Sequence, residues 1–342
     1  MMQTHPFFCF VAKNDLDVGR LGLSGRPTAP TPQPGSSRAQ SWAPPASAEP
    51  TPDGGDTPRA HKTIGGMNFG RGLCRTDSNR LGTALGQGRQ SLGMWQMVPG
   101  ANVSRLLARS GVDWVLVDCE HGNIDDGAMH DAVPAIAALG VSLIVRIPDM
   151  QSWMVKRALD AGAHGILVPL LRSVQQAKEV VQAAKFPPQG RRGFGSPFSC
   201  DRFSPMPSFT GYLQQANDAL LTMVQIETQE ALDAVDEIAA VEGLDVLFIG
   251  PFDLGNNIGY PILEGVVAPE LDEAMTKILA ACRKSGKKCG IYSTDGEQAR
   301  VFKERGFDMI SVATDYTALE FVLKQQLCAA RGEERPSKKG SY

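Results

Sequence analysis

The sequence predicts an α/β fold, a (β/α)8 TIM barrel with a disordered N-terminal extension. Three observations carry this. From Ser91 onward, short β-branched runs alternate with longer amphipathic runs, the pattern of repeated βα units around a parallel sheet. Eight such runs fit within about 250 residues, the size of a closed barrel. No G-x-G-x-x-G follows the first run and no phosphate-loop motif is present, which weighs against an open doubly wound sheet.

Residues 1 to 66 form the extension. The first 60 residues hold ten of the 23 prolines, and the stretch from Pro27 to Pro58 has almost no aliphatic side chains. Such a segment buries too little apolar surface to offset its ordering entropy. Residues 67 to 90 read as a lead-in. The strands follow as SLGMWQM (91 to 97), WVLVDCE (114 to 120), SLIVRIP (142 to 148), GILVPL (165 to 170), LTMVQIE (221 to 227), DVLFIGP (245 to 251), KCGIYS (288 to 293) and DMISVAT (308 to 314). Between them the spacing is helical. In residues 228 to 243, Ala231, Leu232, Val235, Ile238 and Ala239 share one face, with Thr228 as the N-cap. The barrel domain spans 91 to 330, and 331 to 342 form a flexible tail.

Composition narrows the function classes. Lys and Arg number 34 against 37 Asp and Glu, a net charge of -3, so no basic field draws the chain to nucleic acid or to an anionic membrane. The longest apolar runs, such as Ile166 to Leu171, fall far short of the roughly 20 residues a spanning helix needs. The chain reads as a soluble protein. The seven cysteines are scattered, with no C-x-x-C and no zinc-type spacing. They read as reduced thiols, which places the protein in the cytoplasm. A mitochondrial presequence, favoured by Arg20, Arg26 and Arg38 but opposed by Asp15 and Asp17, is the alternative for residues 1 to 66.

In such a barrel, catalytic groups project from the C-terminal ends of the strands, and the opposite ends serve stability. That filter selects Asp118, Cys119, Glu120 and His121 after the second strand, Arg146 on the third, Gln225 and Glu227 on the fifth, and Pro251, Phe252 and Asp253 after the sixth. Glu227 and Asp253 follow neighbouring strands, and two converging carboxylates suit a hard cation such as Mg2+, which completes its shell with water and substrate oxygens. Among five histidines only His121 stands at a strand end, an acid or base candidate rather than part of a zinc cluster. His164 precedes the fourth strand and reads as a surface or packing residue. Arg146 stays charged at any working pH, and either holds a substrate oxyanion or forms an internal ion pair. No lysine stands at a strand's C-terminal end. Metal-dependent enolate chemistry is therefore favoured over an imine.

The segments DCEHGNID (118 to 125), IVRIP (144 to 148), LDAGAHGILVP (159 to 169), PPQGRRGFGS (187 to 196), VQIETQEAL (224 to 232) and FIGPFDLGNNIG (248 to 259) together resemble the HpcH/HpaI aldolase family, over about residues 80 to 330. The resemblance implies a class II, metal-dependent pyruvate aldolase on a barrel of the phosphoenolpyruvate/pyruvate type. It also implies a homo-oligomer, a hexamer of dimers that exchange the last helix, here residues 315 to 330. The cofactor would be a divalent cation, Mg2+, Mn2+ or Co2+. By the same resemblance Glu227 and Asp253 are the metal ligands, His121 the base, and Arg146 the cation that steadies the enolate. Gln225 holds the pyruvate carboxylate or a metal-bound water, and the backbone N–H of Phe252 is a second substrate contact. Phe252 departs from the smaller residue many members carry there. Asp160 matches an aspartate that raises the histidine's basicity, although it lies in the helix before the fourth strand, towards the stability end. Arg192 and Gly193 look like a loop bordering the mouth.

The expected reaction is cleavage of a 4-hydroxy-2-oxo acid to pyruvate and an aldehyde. Two competing readings are a thioester lyase of the citrate lyase β or malyl-CoA type, and a barrel that binds a 2-oxo acid without turnover. The first would need a basic nucleotide-binding surface, and only Arg191 and Arg192 approach one.

Overall fold

A computed structural model describes residues 79 to 334 apart from 204. The extension 1 to 66, the start of the lead-in and residues 335 to 342 lie outside the described residues. The chain enters through α1 (Arg80–Gly86), β1 (Ser91–Gln96), α2 (Ala101–Ala108), β2 (Trp114–Asp118), α3 (Asp126–Ala137) and β3 (Ser142–Arg146). It continues through α4 (Ser152–Asp160), β4 (Gly165–Val168), α5 (Val174–Ala184), α6 (Phe209–Ala219), β5 (Leu221–Ile226), α7 (Gln229–Asp233) and α8 (Val235–Ala239). It ends with β6 (Val246–Ile249), α9 (Pro251–Asn257), α10 (Pro269–Lys284), β7 (Lys288–Ile291), α11 (Gly296–Arg305), β8 (Met309–Thr314) and α12 (Asp315–Arg331). No described helix is long and apolar enough to cross a membrane.

Each strand falls within its predicted run. The strands pair in chain order as one closed parallel barrel, β8 returning to β1. All eight C-terminal ends therefore share one rim, where the loops can converge on a site. Side chains alternate between two cores. Inward-facing Trp95, Trp114, Leu116, Ile144, Leu167, Met223, Phe248 and Met309 fill the barrel. Outward-facing Val115, Val117, Val145, Ile166, Val224 and Leu247 pack against the helices. Space for the large inward rings comes from glycines on the neighbouring strands. A Cβ on Gly93 would lie 2.0 Å from the Trp114 ring, and one on Gly290 would lie 2.3 Å from Phe248.

The lead-in proves more than a linker. Its residues 80 to 86 form α1. The cap residue Asn79 donates to the Ala219 carbonyl at 3.1 Å and accepts from Ser142 Oγ at 3.0 Å. Ser142 begins β3 and Ala219 precedes β5, so α1 covers the N-terminal end of the barrel, with Leu81 and Leu85 in the inner core. The helix expected over 228 to 243 is broken at Ala234, whose ψ of 15° departs from helical geometry, giving α7 and α8. Thr228 does cap it, accepting from the Ala231 N–H, and the five predicted face residues face the core or are buried.

Candidate active site

At the rim, β2 and β3 pair in register so that Asp118 lies beside Arg146. Asp118 Oδ1 accepts from Arg146 Nε at 2.9 Å and Oδ2 from Nη2 at 2.6 Å, a two-point clamp in which both side chains are buried. The guanidinium also stacks over Trp95, with Cζ 4.4 Å from the ring centroid. Burial disfavours its charge, but the hydrogen bond and charge of Asp118, joined by Glu120 and Glu227, outweigh this and hold Arg146 above its ordinary range. The expected internal ion pair is present. Asp118 takes two nitrogens, and Nη1 turns to the interior, 3.2 Å from Gln225 Oε1 and 2.9 Å from Glu120 Oε2.

Gln225 links this arginine to Glu227. Its Nε2 donates to Glu227 Oε2 at 2.6 Å, while the backbone N–H of Leu170 donates to Oε1 at 2.8 Å. Leu170 reaches that position with φ of 52°, a left-handed conformation that costs a leucine about 1 to 3 kcal/mol. Glu227 is buried, and burial is the main cause that pushes its pKa up to about 7. The Leu170 N–H and Arg146 oppose the rise, and the charges of Asp253 and Glu120 add to it. Gly250 leaves room for this carboxylate. A Cβ there would sit 2.2 Å from Glu227 Oε2.

Two loops complete the rim. After β2, the carboxylate of Asp118 accepts from the backbone N–H of Glu120 at 3.1 Å and of His121 at 3.3 Å, folding the chain into a tight turn. The His121 ring is largely exposed, with Nε2 3.7 Å from Glu120 Oε1. Glu120 thus stands between His121 and Arg146. Burial raises its pKa, against the pull of Arg146 and His121. After β6, Pro251 starts α9 and puts Phe252 and Asp253 in its first turn. Asp253 is exposed but near enough for its charge to act on both Glu120 and Glu227. Cys119 is no nucleophile candidate, since burial and then Asp118 push its thiol up to about 12.

Three sequence-predicted residues do not join this group within one chain. Asp160 is the last residue of α4, and because α4 runs antiparallel to the strands it lies at the N-terminal end of the barrel. Its carboxylate accepts from Arg192 Nη2 at 2.9 Å, so the expected role beside His121 is filled in this chain by no contact of Asp160. Arg192 stacks on Phe186 and donates to Tyr212 Oη, which carries the Arg192 and Gly193 loop away from the mouth it was expected to border. His164 is fully buried there, with Nε2 2.9 Å from the Arg202 carbonyl oxygen, and burial lowers its pKa to about 4. It is a packing residue. Conversely, the roles of Asp118, Glu120, Trp95, Gly250 and the Leu170 N–H go beyond the sequence reading. Asp118 and Glu120 stand in the strand-end run DCEH. For the other three the only signals are an aromatic late in a strand, a Gly-Pro pair and none at all.

A closed barrel with a clamped arginine, a buried carboxylate of raised pKa and an exposed histidine on its C-terminal rim defines an enzyme of the α/β-barrel class. Residues 91 to 320 match the family model for HpcH/HpaI aldolase/citrate lyase. The chain belongs to this family and is a lyase of the aldolase type. It is 35% identical over 260 residues to a hydroxypyruvate/pyruvate aldolase of Agrobacterium fabrum, covering 75% of this chain and 96% of that protein. It is 32% identical over 266 residues to a 2-keto-3-deoxy-L-rhamnonate aldolase of Escherichia coli K12, covering 78% and 98%. Among solved structures, an HpcH/HpaI aldolase/citrate lyase family protein from Burkholderia cenocepacia superimposes with a TM-score of 0.68 at 32% identity, covering 74% of this chain and 99% of that one.

Proposed function

We propose that the protein cleaves a 4-hydroxy-2-oxo acid reversibly into pyruvate and an aldehyde, using a divalent cation, Mg2+, Mn2+ or Co2+, held by Glu227 and Asp253. The observation that carries the reading is the linked set Asp118, Arg146, Gln225 and Glu227 at the rim. It presents one fixed N–H donor edge beside a buried carboxylate.

The donor set fits such a cation. Among the described residues no three His, Cys, Asp or Glu side chains gather into a closed site. An open site with two carboxylates is what a hard cation that retains water and substrate oxygens requires. Asp118 is already paired with Arg146, whereas the charge of Asp253 helps to raise the pKa of Glu120 and of Glu227, an excess of negative charge that a divalent cation would relieve. Bound there, the cation supplies Lewis-acid polarisation of the 2-oxo group.

His121, the exposed base, removes the proton of the C4 hydroxyl. The C3–C4 bond then breaks, the aldehyde leaves, and the bonding pair passes to the three-carbon fragment as pyruvate enolate. Arg146 Nη1 faces the interior of the site and stabilises the charge on the enolate oxygen until C3 is protonated. Glu120 Oε1 lies 3.7 Å from the imidazole Nε2. Gln225 has a second amide hydrogen to offer the substrate carboxylate, and the Phe252 backbone N–H lies in the first turn of α9 as a further contact.

The proposal extends to a homo-oligomer. Helix α12 has no buried residue, and its Leu319, Val322, Leu323 and Leu327 are exposed. That row is suited to a second copy of the chain, a hexamer by the family resemblance. General-base catalysis contributes about 100- to 10,000-fold. His121→Ala should lower kcat for cleavage by that factor with an unchanged circular dichroism spectrum, and near-normal turnover would remove His121 from the mechanism.

A further inference from the structure

The loop that carries His121 is held from two sides. From within the barrel, Asp118 Oδ1 accepts from the backbone N–H groups of Glu120 and His121. From the flank it packs on the loop after β1. The Asn123 N–H donates to the Met97 carbonyl at 2.9 Å. A Cβ on Gly122 would lie 3.1 Å from Met97 Cα and 2.2 Å from the Asp118 carbonyl oxygen, so the two loops touch through backbone alone. Met97 is itself held by α12. Asp315 Oδ2 accepts from Met97 N at 3.0 Å and Val98 N at 2.9 Å, and Oδ1 from Met97 N at 3.1 Å.

We propose that Asp315 is a positioning residue for His121. Its carboxylate fastens residues 97 and 98, these fasten Asn123, and the turn between Asp118 and Asn123 presents the imidazole to the site. The first turn of α12 does not need this carboxylate as its cap, because Thr314 Oγ1 accepts from the Thr317 N–H. Asp315 Oδ1 also accepts from the Tyr316 N–H of its own helix at 2.8 Å, and both carboxylate oxygens reach across to hold residues 97 and 98. A base displaced by about 1 Å loses on the order of 100-fold in rate while substrate affinity is kept, since the groups that bind the 2-oxo acid stand on other strands. The inference rests on the assignment of His121 as the base.

The test compares Asp315→Ala, Asp315→Asn and Thr314→Val with the wild-type enzyme and His121→Ala, reading kcat, KM and amide hydrogen exchange. Asp315→Ala should lower kcat about 10- to 100-fold with KM for the 2-oxo acid within about twofold, and exchange should quicken at residues 119 to 123 as well as at 97 and 98. Asp315→Asn, which keeps one acceptor oxygen, should fall between it and wild type. Thr314→Val, which removes the helix cap alone, should keep kcat near wild type. The proposal is overturned if Asp315→Ala turns over normally, if Thr314→Val loses as much, or if exchange quickens only at 97 and 98. Should Asp315→Ala fail to fold, the same criteria apply to Asp315→Asn. Activity retained in His121→Ala would instead bring down the assignment of the base.

Discussion

Gly250 sets the geometry of Glu227 by lacking a side chain. Its φ of -95° is open to any residue, so alanine meets no backbone barrier, but its Cβ would lie 2.2 Å from Glu227 Oε2 and 3.2 Å from Gln225 Nε2. Gly250→Ala should therefore push Glu227 off Gln225 and the Leu170 N–H while the barrel stays folded. Supporting contacts of this kind are worth about 10- to 100-fold in metal affinity. Titration of the metal-stripped variant with Mn2+ should show a loss of that size, and wild-type affinity would contradict the assignment. His121, Arg146, Gln225, Glu227 and Asp253 are legible in the sequence because each interrupts or ends an apolar run at one rim. Asp118 is visible in the same way, but its part as the clamp of Arg146 depends on the register of two strands 28 residues apart. A backbone donor such as the Leu170 N–H and an absent side chain such as that of Gly250 leave no pattern to read. Asp160 is a related case, since matching a motif residue does not say which end of its own barrel the helix reaches, and within one chain it pairs with Arg192.

At the scale of elements, period and punctuation are good guides. All eight strands lie within their predicted runs, and Thr228 caps its helix. Less legible are α1, only seven residues long, and the division of α7 from α8 at Ala234. Neither changes the hydrophobic spacing, so neither leaves a signal. Helix α12 is the element whose surroundings are least satisfied by its own chain. Leu319 and Leu323 are 60% and 54% exposed on a 17-residue helix that buries none of its side chains. Each leucine covered by a partner would contribute about 1.5 to 3 kcal/mol relative to exposure. The double variant Leu319→Lys and Leu323→Lys should convert the assembly to monomers by size-exclusion chromatography with light scattering. An unchanged assembly would show that α12 is not the contact, and a monomeric wild type would contradict the assembly itself.

For the whole molecule, parallel closure explains why a site forms where it does. Eight strands of one direction put eight loops on one rim, and the helices returning outside send Asp160, Arg192 and His164 to the other, where they pack and pair. The rim collects Asp118, Glu120 and Glu227 around Arg146, with Asp253 near enough for its charge to act on Glu120 and Glu227, the charge excess on which the proposed cation rests. The proposed function places metal-dependent aldol chemistry on a 2-oxo acid at this rim. The most direct measurement is pyruvate release from a panel of 4-hydroxy-2-oxo acids by metal-stripped protein, with and without added Mg2+, Mn2+ or Co2+. Release that appears on adding metal and stops on chelation is the predicted result, with the ranking of the panel naming the aldehyde. Equal release without metal, or none from any member with metal bound, would contradict the account.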